Sequence, residues 1–376
     1  MHESTMGAVE PVLGSMDLTA AQYVRPQRTR HAMAFDGSAA EYFRIWIVNL
    51  ALSIVTLGIY SAWAKVRTRR YFLANTRLAG APFDYLAEPI QILKGRLIAY
   101  SFLLALWLSA HFQVFIVYFP LLAILLLLLP WVIYRSLAFR ARYTSWRGLR
   151  FRFVGTAGDA YVNYLFRPLI LFVTLYLMYP WVHMHQHNYM VSGHRFGGKR
   201  FEFAVNCEGY VAPFAIAAGV GFVAYILFIA IFVGMMAATM HGQAPPPPGT
   251  PPHFPPAMLA MMGVLYVFLL ALPVFVRTRY SNAMWQHTRL GKHEFECTLR
   301  ARDVLWLYFS NAIAIVCTLG LAIPWAMIRM TRYRVGRFAL LAGDDLDTFV
   351  AEAGAEESAT GAEFLGALDM GFDIGL

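Results

Sequence analysis

Charge is what this chain lacks most. Of 376 residues, 14% are Asp, Glu, Lys or Arg while 59% are hydrophobic; an ordinary soluble domain is roughly 25% charged. So few charges cannot keep the surface of a soluble protein this size wet, which excludes a soluble enzyme and a disordered chain. Cysteine is nearly absent. Cys207, Cys297 and Cys317 form no C-x-x-C pair, which excludes a disulfide scaffold and predicts free, buried thiols in a reducing compartment. Residues 1–34 hold no apolar run long enough for a signal peptide. There is no G-x-S-x-G, no H-E-x-x-H and no phosphate-cradling glycine loop. Asp84, Glu88, Asp159 and Asp303, the acids available as a base, stand singly near expected helix starts. No catalytic residue or cofactor is therefore assigned, and an enzyme is disfavoured. The class that survives is an integral membrane protein.

The apolar runs define its spans. No charged residue falls between Arg96 and Arg135. At about 1.5 Å per residue this gap would make a helix of roughly 57 Å, nearly twice a bilayer core, so it must fold back as two spans. A second gap, Glu208 to Arg277, is interrupted by a proline-rich stretch at 244–256 that cannot be helical. Four spans follow, near 97–112, 114–134, 211–239 and 257–276. Three further apolar segments, Ile45–Ala64, Pro168–Val182 and Val304–Ile328, are single rather than paired.

These three segments resemble one another. At an offset of 262, Asn49 meets Asn311, Thr56-Leu57-Gly58 meets Thr318-Leu319-Gly320, Trp63 meets Trp325, Arg67 meets Arg329 and Arg70-Tyr71 meets Arg332-Tyr333. At an offset of 118 the middle segment supplies Thr174-Leu175, Trp181 and Tyr189, with His185 in the place of Arg67. A second recurring element begins at Arg77, Trp146, Arg195 and Arg289, where glycine and alternating aromatic and polar residues predict short β-hairpins. The expected organisation is a flexible arm (1–34), a repeated membrane domain (35–342) and an acidic tail (343–376). That tail holds nine acids and no Lys or Arg, leaving all 31 basic residues in 1–342. It reads as solvated, or docked on the basic cytoplasmic face.

The basic residues fall at 25–44, 65–96, 135–167, 195–200, 277–302 and 329–337, and none lies in the 109–113 turn or the proline-rich loop. Full crossing by the three single segments would place 195–200 and 277–302 outside, against the positive-inside rule. Entering and leaving on one side makes every basic stretch cytoplasmic, and the Thr-Leu-Gly breaks suit such a turn. The expected fold is an all-α polytopic membrane protein, an internally repeated helical bundle. It has four spans, three re-entrant segments and short cytoplasmic β-hairpins; seven full spans are the alternative.

Phe35-Asp-Gly-Ser-Ala-Ala-Glu-Tyr-Phe43, Asn49, Thr56-Leu-Gly-Ile-Tyr-Ser-Ala-Trp-Ala-Lys-Val-Arg67 and Tyr71-Phe-Leu-Ala-Asn-Thr76 resemble the YjgN family of bacterial inner-membrane proteins, over roughly residues 35–342. The resemblance implies a Gram-negative inner-membrane location. It brings no established reaction and no site residues.

Asn49, Thr56, Asn311 and Thr318 are polar groups inside apolar segments. They could line a solute path, the transporter or channel-like reading, or tie broken helices together. Trp63, Lys65, Arg67 and Arg70, echoed by Trp325, Arg329 and Arg332, form an aromatic and basic belt suited to anionic lipid head groups. This is the alternative reading, a structural or lipid-organising protein. The partners expected are the bilayer, anionic lipid or a protein, not nucleic acid. His183, His185 and His187, with methionines nearby, are a weak metal candidate: a strand would put all three on one face, a helix only the outer two.

Overall fold

The computed structural model describes residues 28–204, 207–240 and 256–364. The proline-rich loop up to residue 255, most of the N-terminal arm and the last twelve residues lie outside them.

Glycine-centred turns set the strands. Strands β1 (Thr29–Phe35), β2 (Thr76–Leu78), β3 (Ala81–Tyr85), β4 (Thr144–Trp146), β5 (Leu149–Phe153), β6 (His194–Phe196), β7 (Lys199–Phe203), β8 (Thr288–Leu290), β9 (His293–Cys297) and β10 (Phe338–Ala342) form one antiparallel sheet. It closes in the order β1-β10-β9-β8-β7-β6-β5-β4-β3-β2. The β2–β3 and β4–β5 turns hold two residues, Ala79-Gly80 and Arg147-Gly148, all with positive φ; this backbone matches the twist of the flanking strands. The third residue of every strand from β2 to β9 faces inward: Leu78, Trp146, Phe196 and Leu290 in the short strands, Phe83, Phe151, Phe201 and Phe295 in the longer ones. Polar residues such as Arg77, Arg150, Arg195 and Arg289 alternate with them, the period-two pattern of a sheet with one buried face.

The all-α expectation is therefore wrong. The hairpins are not separate surface ornaments: each would expose unpaired strand edges, and joining edge to edge into a barrel satisfies them. The strands that close the ring, β1 and β10, come from the two ends of the domain, with Thr29 opposite Ala342. β1 begins within the stretch read as arm.

Between strands the chain makes five helix pairs. Two are long: α3 (Pro89–His111) with α4 (Phe115–Arg142), and α8 (Glu208–Met240) with α9 (Pro256–Gln286). Among the described residues these are the four helices long and apolar enough to cross a membrane. The others are short and broken: α1 (Ala39–Val55) with α2 (Ser61–Ala74), α10 (Ala301–Cys317) with α11 (Ile323–Gly336), and a middle pair. That pair joins α5 (Ala157–Tyr161), a π-helical turn (Val162–Phe166) and α6 (Arg167–Val173) to α7 (Tyr179–Ser192). Leu57, Leu175 and Leu319 have positive φ at the breaks. Every pair returns to the barrel end it left, because the strands flanking it are antiparallel neighbours there: Phe35 opposite Thr76, Tyr85 opposite Thr144, Phe153 opposite His194, Phe203 opposite Thr288 and Cys297 opposite Phe338.

The opposite barrel end is covered by α12 (Leu346–Phe364). Leu346, Phe349 and Ala353 pack into the barrel core. The helix's acids meet the hairpins: Lys199 pairs with Glu352 and Glu356, Arg152 with Glu357 and Arg147 with Asp347. The acidic residues of 346–357 thus dock on the basic hairpin end. Of the thiols expected to be buried, only Cys297 is; Cys207 and Cys317 are exposed.

Candidate functional site

The repeated threonines close the helix breaks. Thr56 Oγ1 donates to Leu52 O (2.7 Å) and accepts from Tyr60 N–H (2.9 Å). Thr318 does the same with Ala314 O (2.7 Å) and Ala322 N–H (3.0 Å). Each hydroxyl thus satisfies a carbonyl at the end of one helix and an amide at the start of the next. Asn311 is buried and accepts from Arg329 Nη1 (3.0 Å), which also donates to Ser310 Oγ and lies over Trp325. Asn49 is buried too, but both polar atoms of its amide lack a partner.

The three histidines lie on a helix, α7, which divides them. His183 and His187 share a face, and His187 Nδ1 pairs with the Tyr210 hydroxyl at 2.8 Å. His185 turns away, stacking on Trp181 with Nδ1–H donating to Trp181 O (3.0 Å). No group of three metal-ligating side chains converges among the described residues.

The belt residues separate. Arg332 donates to Gly37 O (3.0 Å), tying α11 to the β1–α1 junction, and Arg70 Nε donates to Tyr85 O (3.4 Å). Trp63 stacks on Tyr60, while Arg67 is exposed. Lys65 is different. With Arg69, one turn on along α2, it faces Arg96 of α3 and Arg140 of α4. Arg69 Nη1 donates to the Tyr85 hydroxyl (3.0 Å) and Arg96 donates to Ser61 Oγ. Beneath them Ala62, Val66, Tyr85, Ile92 and Phe139 form a small apolar core that fixes the three helices. None of the four cations forms an ion pair among the described residues. Burial, and then repulsion from Arg69, Arg96 and Arg140, lowers Lys65 from 10.5 to about 8. Lys65, Arg69 and Arg96 are half-buried beside the exposed Arg140; like charges held together without a counter-ion cost free energy, and an anion seated among them would offset that cost. Sequence reading found Lys65 but missed Arg96 and Arg140. The available signal was a surplus of basic residues at the ends of α2, α3 and α4 with no acid at pairing distance along any of them.

Four membrane-capable helices rising from one end of a closed barrel define a multi-pass membrane protein. Residues 30–367 match the family described as bacterial protein of unknown function, DUF898, and the chain belongs to that family. It is similar to "Inner membrane protein YjgN" of Salmonella typhimurium, 23% identical over 343 residues that cover 79% of this chain and 85% of the relative. Similar proteins of the same name in Escherichia coli O157:H7 and strain K12 are 30% and 33% identical, over 38% and 33% of this chain and 35% and 31% of their own lengths. No solved structure matches. The protein is a multi-pass protein of the bacterial inner membrane.

Proposed function

We propose that the protein binds anionic lipid head groups at the cytoplasmic face of the inner membrane, and that Lys65, Arg69, Arg96 and Arg140 hold them. The observation that carries this reading is the convergence of four cations from three helices with no ion pair to an acid among the described residues. A phosphate accepts several charge-assisted hydrogen bonds at once, and the cytoplasmic leaflet concentrates such groups.

In the same reading the three broken pairs are re-entrant and the chain is an internal repeat. Their tips support this: Leu57, Leu175 and Leu319 are 94%, 84% and 95% exposed, and all are apolar. Side chains like these suit hydrocarbon and not water. The repeat is supported by one bond in three places: the Tyr71, Tyr189 and Tyr333 hydroxyls donate to the Ser38, Thr156 and Arg300 carbonyls, residues spaced by the offsets in the sequence.

Each basic residue near an anionic surface contributes about 1 kcal/mol, so losing two should weaken head-group binding by about thirtyfold. The test is native mass spectrometry of protein purified in mild detergent. Lys65→Gln with Arg140→Gln should strip bound phosphatidylglycerol and cardiolipin; unchanged lipid occupancy would overturn the proposal. A second reading, small-solute transport, is favoured by Asn49 alone, whose buried amide lacks partners. It requires Asn49→Ala to abolish uptake of some solute in a folded protein.

A further inference from the structure

The barrel does not fill its own interior. Its aromatic walls leave a cavity of about 320 Å³ that extends from Trp285 and Arg334 at the helix end to His293 and Phe349 at the hairpin end. That volume lies within the roughly 300–1,000 Å³ of small-molecule sites. Its lining is apolar with two exceptions, Arg334 and His293. Arg334 is exposed and donates to the Tyr308 hydroxyl (3.1 Å). His293 is 1% exposed. Its Nδ1 accepts the Gly343 N–H (3.3 Å), so the proton of the neutral ring is on Nε2. Nε2 is buried and has no hydrogen-bond partner.

A buried donor left unmade costs about 1–3 kcal/mol. Phe349 of α12, which also lines the cavity, packs against the imidazole in an edge-to-face contact with ring centres 4.3 Å apart. The site therefore lacks two things: apolar volume and one hydrogen-bond acceptor. We propose that the barrel lumen binds a single-chain acyl compound, its alkyl chain against the aromatic wall and its carbonyl oxygen accepting from His293 Nε2–H. A second cavity of about 400 Å³ between α9, α10 and α11 shares Trp285 and Arg334 with the lumen at its helix end. This site uses none of the four cations of the head-group cluster, and either reading can fail without the other.

The experiment uses the full chain in lipid nanodiscs with cis-parinaric acid as the reporter. Trp146 and Trp285 line the lumen and transfer excitation to a polyene bound there. Methyl palmitate, which has a carbonyl and no charge, and hexadecane, which has no acceptor, compete for the site. Methyl palmitate should displace the reporter at least about tenfold more effectively than hexadecane, the weight of one hydrogen bond. His293→Phe should abolish that preference while both still bind. Phe201→Trp, which narrows the lumen, should weaken the part of the transfer that methyl palmitate displaces. Equal potency of the two competitors on the unaltered protein would overturn the proposal without any variant. So would a preference that survives His293→Phe, or displaceable transfer that Phe201→Trp leaves unchanged.

Discussion

Lys65 is the residue at which the head-group reading can be checked directly. Its ammonium is held near 8 by burial and by three arginines, so its acylation should show a midpoint close to that pH, well below ordinary lysine. Adding phosphatidylglycerol should move the midpoint upward, because an anion favours the charged form; a midpoint indifferent to lipid would speak against the site. Lys65, Arg67 and Arg70 were legible because aromatic and basic residues alternate around them. Arg96 and Arg140 were not, since each reads on its own as a charge ending a span. Only the packing of α2 against α3 and of α3 against α4 brings them to Lys65. The paired threonines were legible as a repeated Thr-Leu-Gly, but the hydrogen bonds that define their role are backbone geometry. The histidines turned on one choice, strand or helix, and the apolar and aromatic residues around them in α7 did not decide it.

At the scale of elements, α12 and the hairpins beneath it are the part most open to test. Gly197 has φ of +54°, and a Cβ there would lie 2.5 Å from the Ala353 carbonyl oxygen. Gly197→Ala should therefore lift α12 while costing the hairpin about 1–2 kcal/mol. A Glu-specific protease should then cut the 346–364 segment faster, with the barrel intact; an unchanged cutting rate would count against the docking. His293 gives the same contact a pH dependence. Burial holds it below its usual 6.5, with His31 of β1 and Lys292 acting in the same direction and Asp344 opposing. A depressed histidine contributes its stability above the unfolded value and loses it as pH falls below about 6.5. The protection of α12 amides against hydrogen exchange, corrected for the intrinsic exchange rate at each pH, should therefore fall between about pH 7.5 and about pH 5.5. His293→Phe should remove that change, and a corrected protection that is flat with pH would contradict it. The four hairpins could be read from glycine and period-two aromatics. Their closure into a barrel could not, because it rests on β1 and β10 pairing across nearly the whole chain.

For the whole molecule, the decisive fact is that all five helix pairs rise from one barrel end while the hairpin turns and α12 lie at the other. The four membrane-capable helices were legible in charge-free runs too long for one crossing, and the side proposed for the barrel rests on where the 31 basic residues fall. The ring that organises them was hidden in strands of three to seven residues. The orientation we propose puts the barrel and α12 in the cytoplasm, the α3–α4 turn outside, and the three broken tips within the inner leaflet. The most direct measurement is sided cysteine labelling with an impermeant maleimide, with Cys207, Cys297 and Cys317 replaced by Ala. Gln113→Cys should label from outside, Lys292→Cys from the cytoplasm only, and Leu57→Cys from neither side until the membrane is dissolved. Labelling of Lys292→Cys from outside would place the barrel on the wrong side of the membrane and contradict the account.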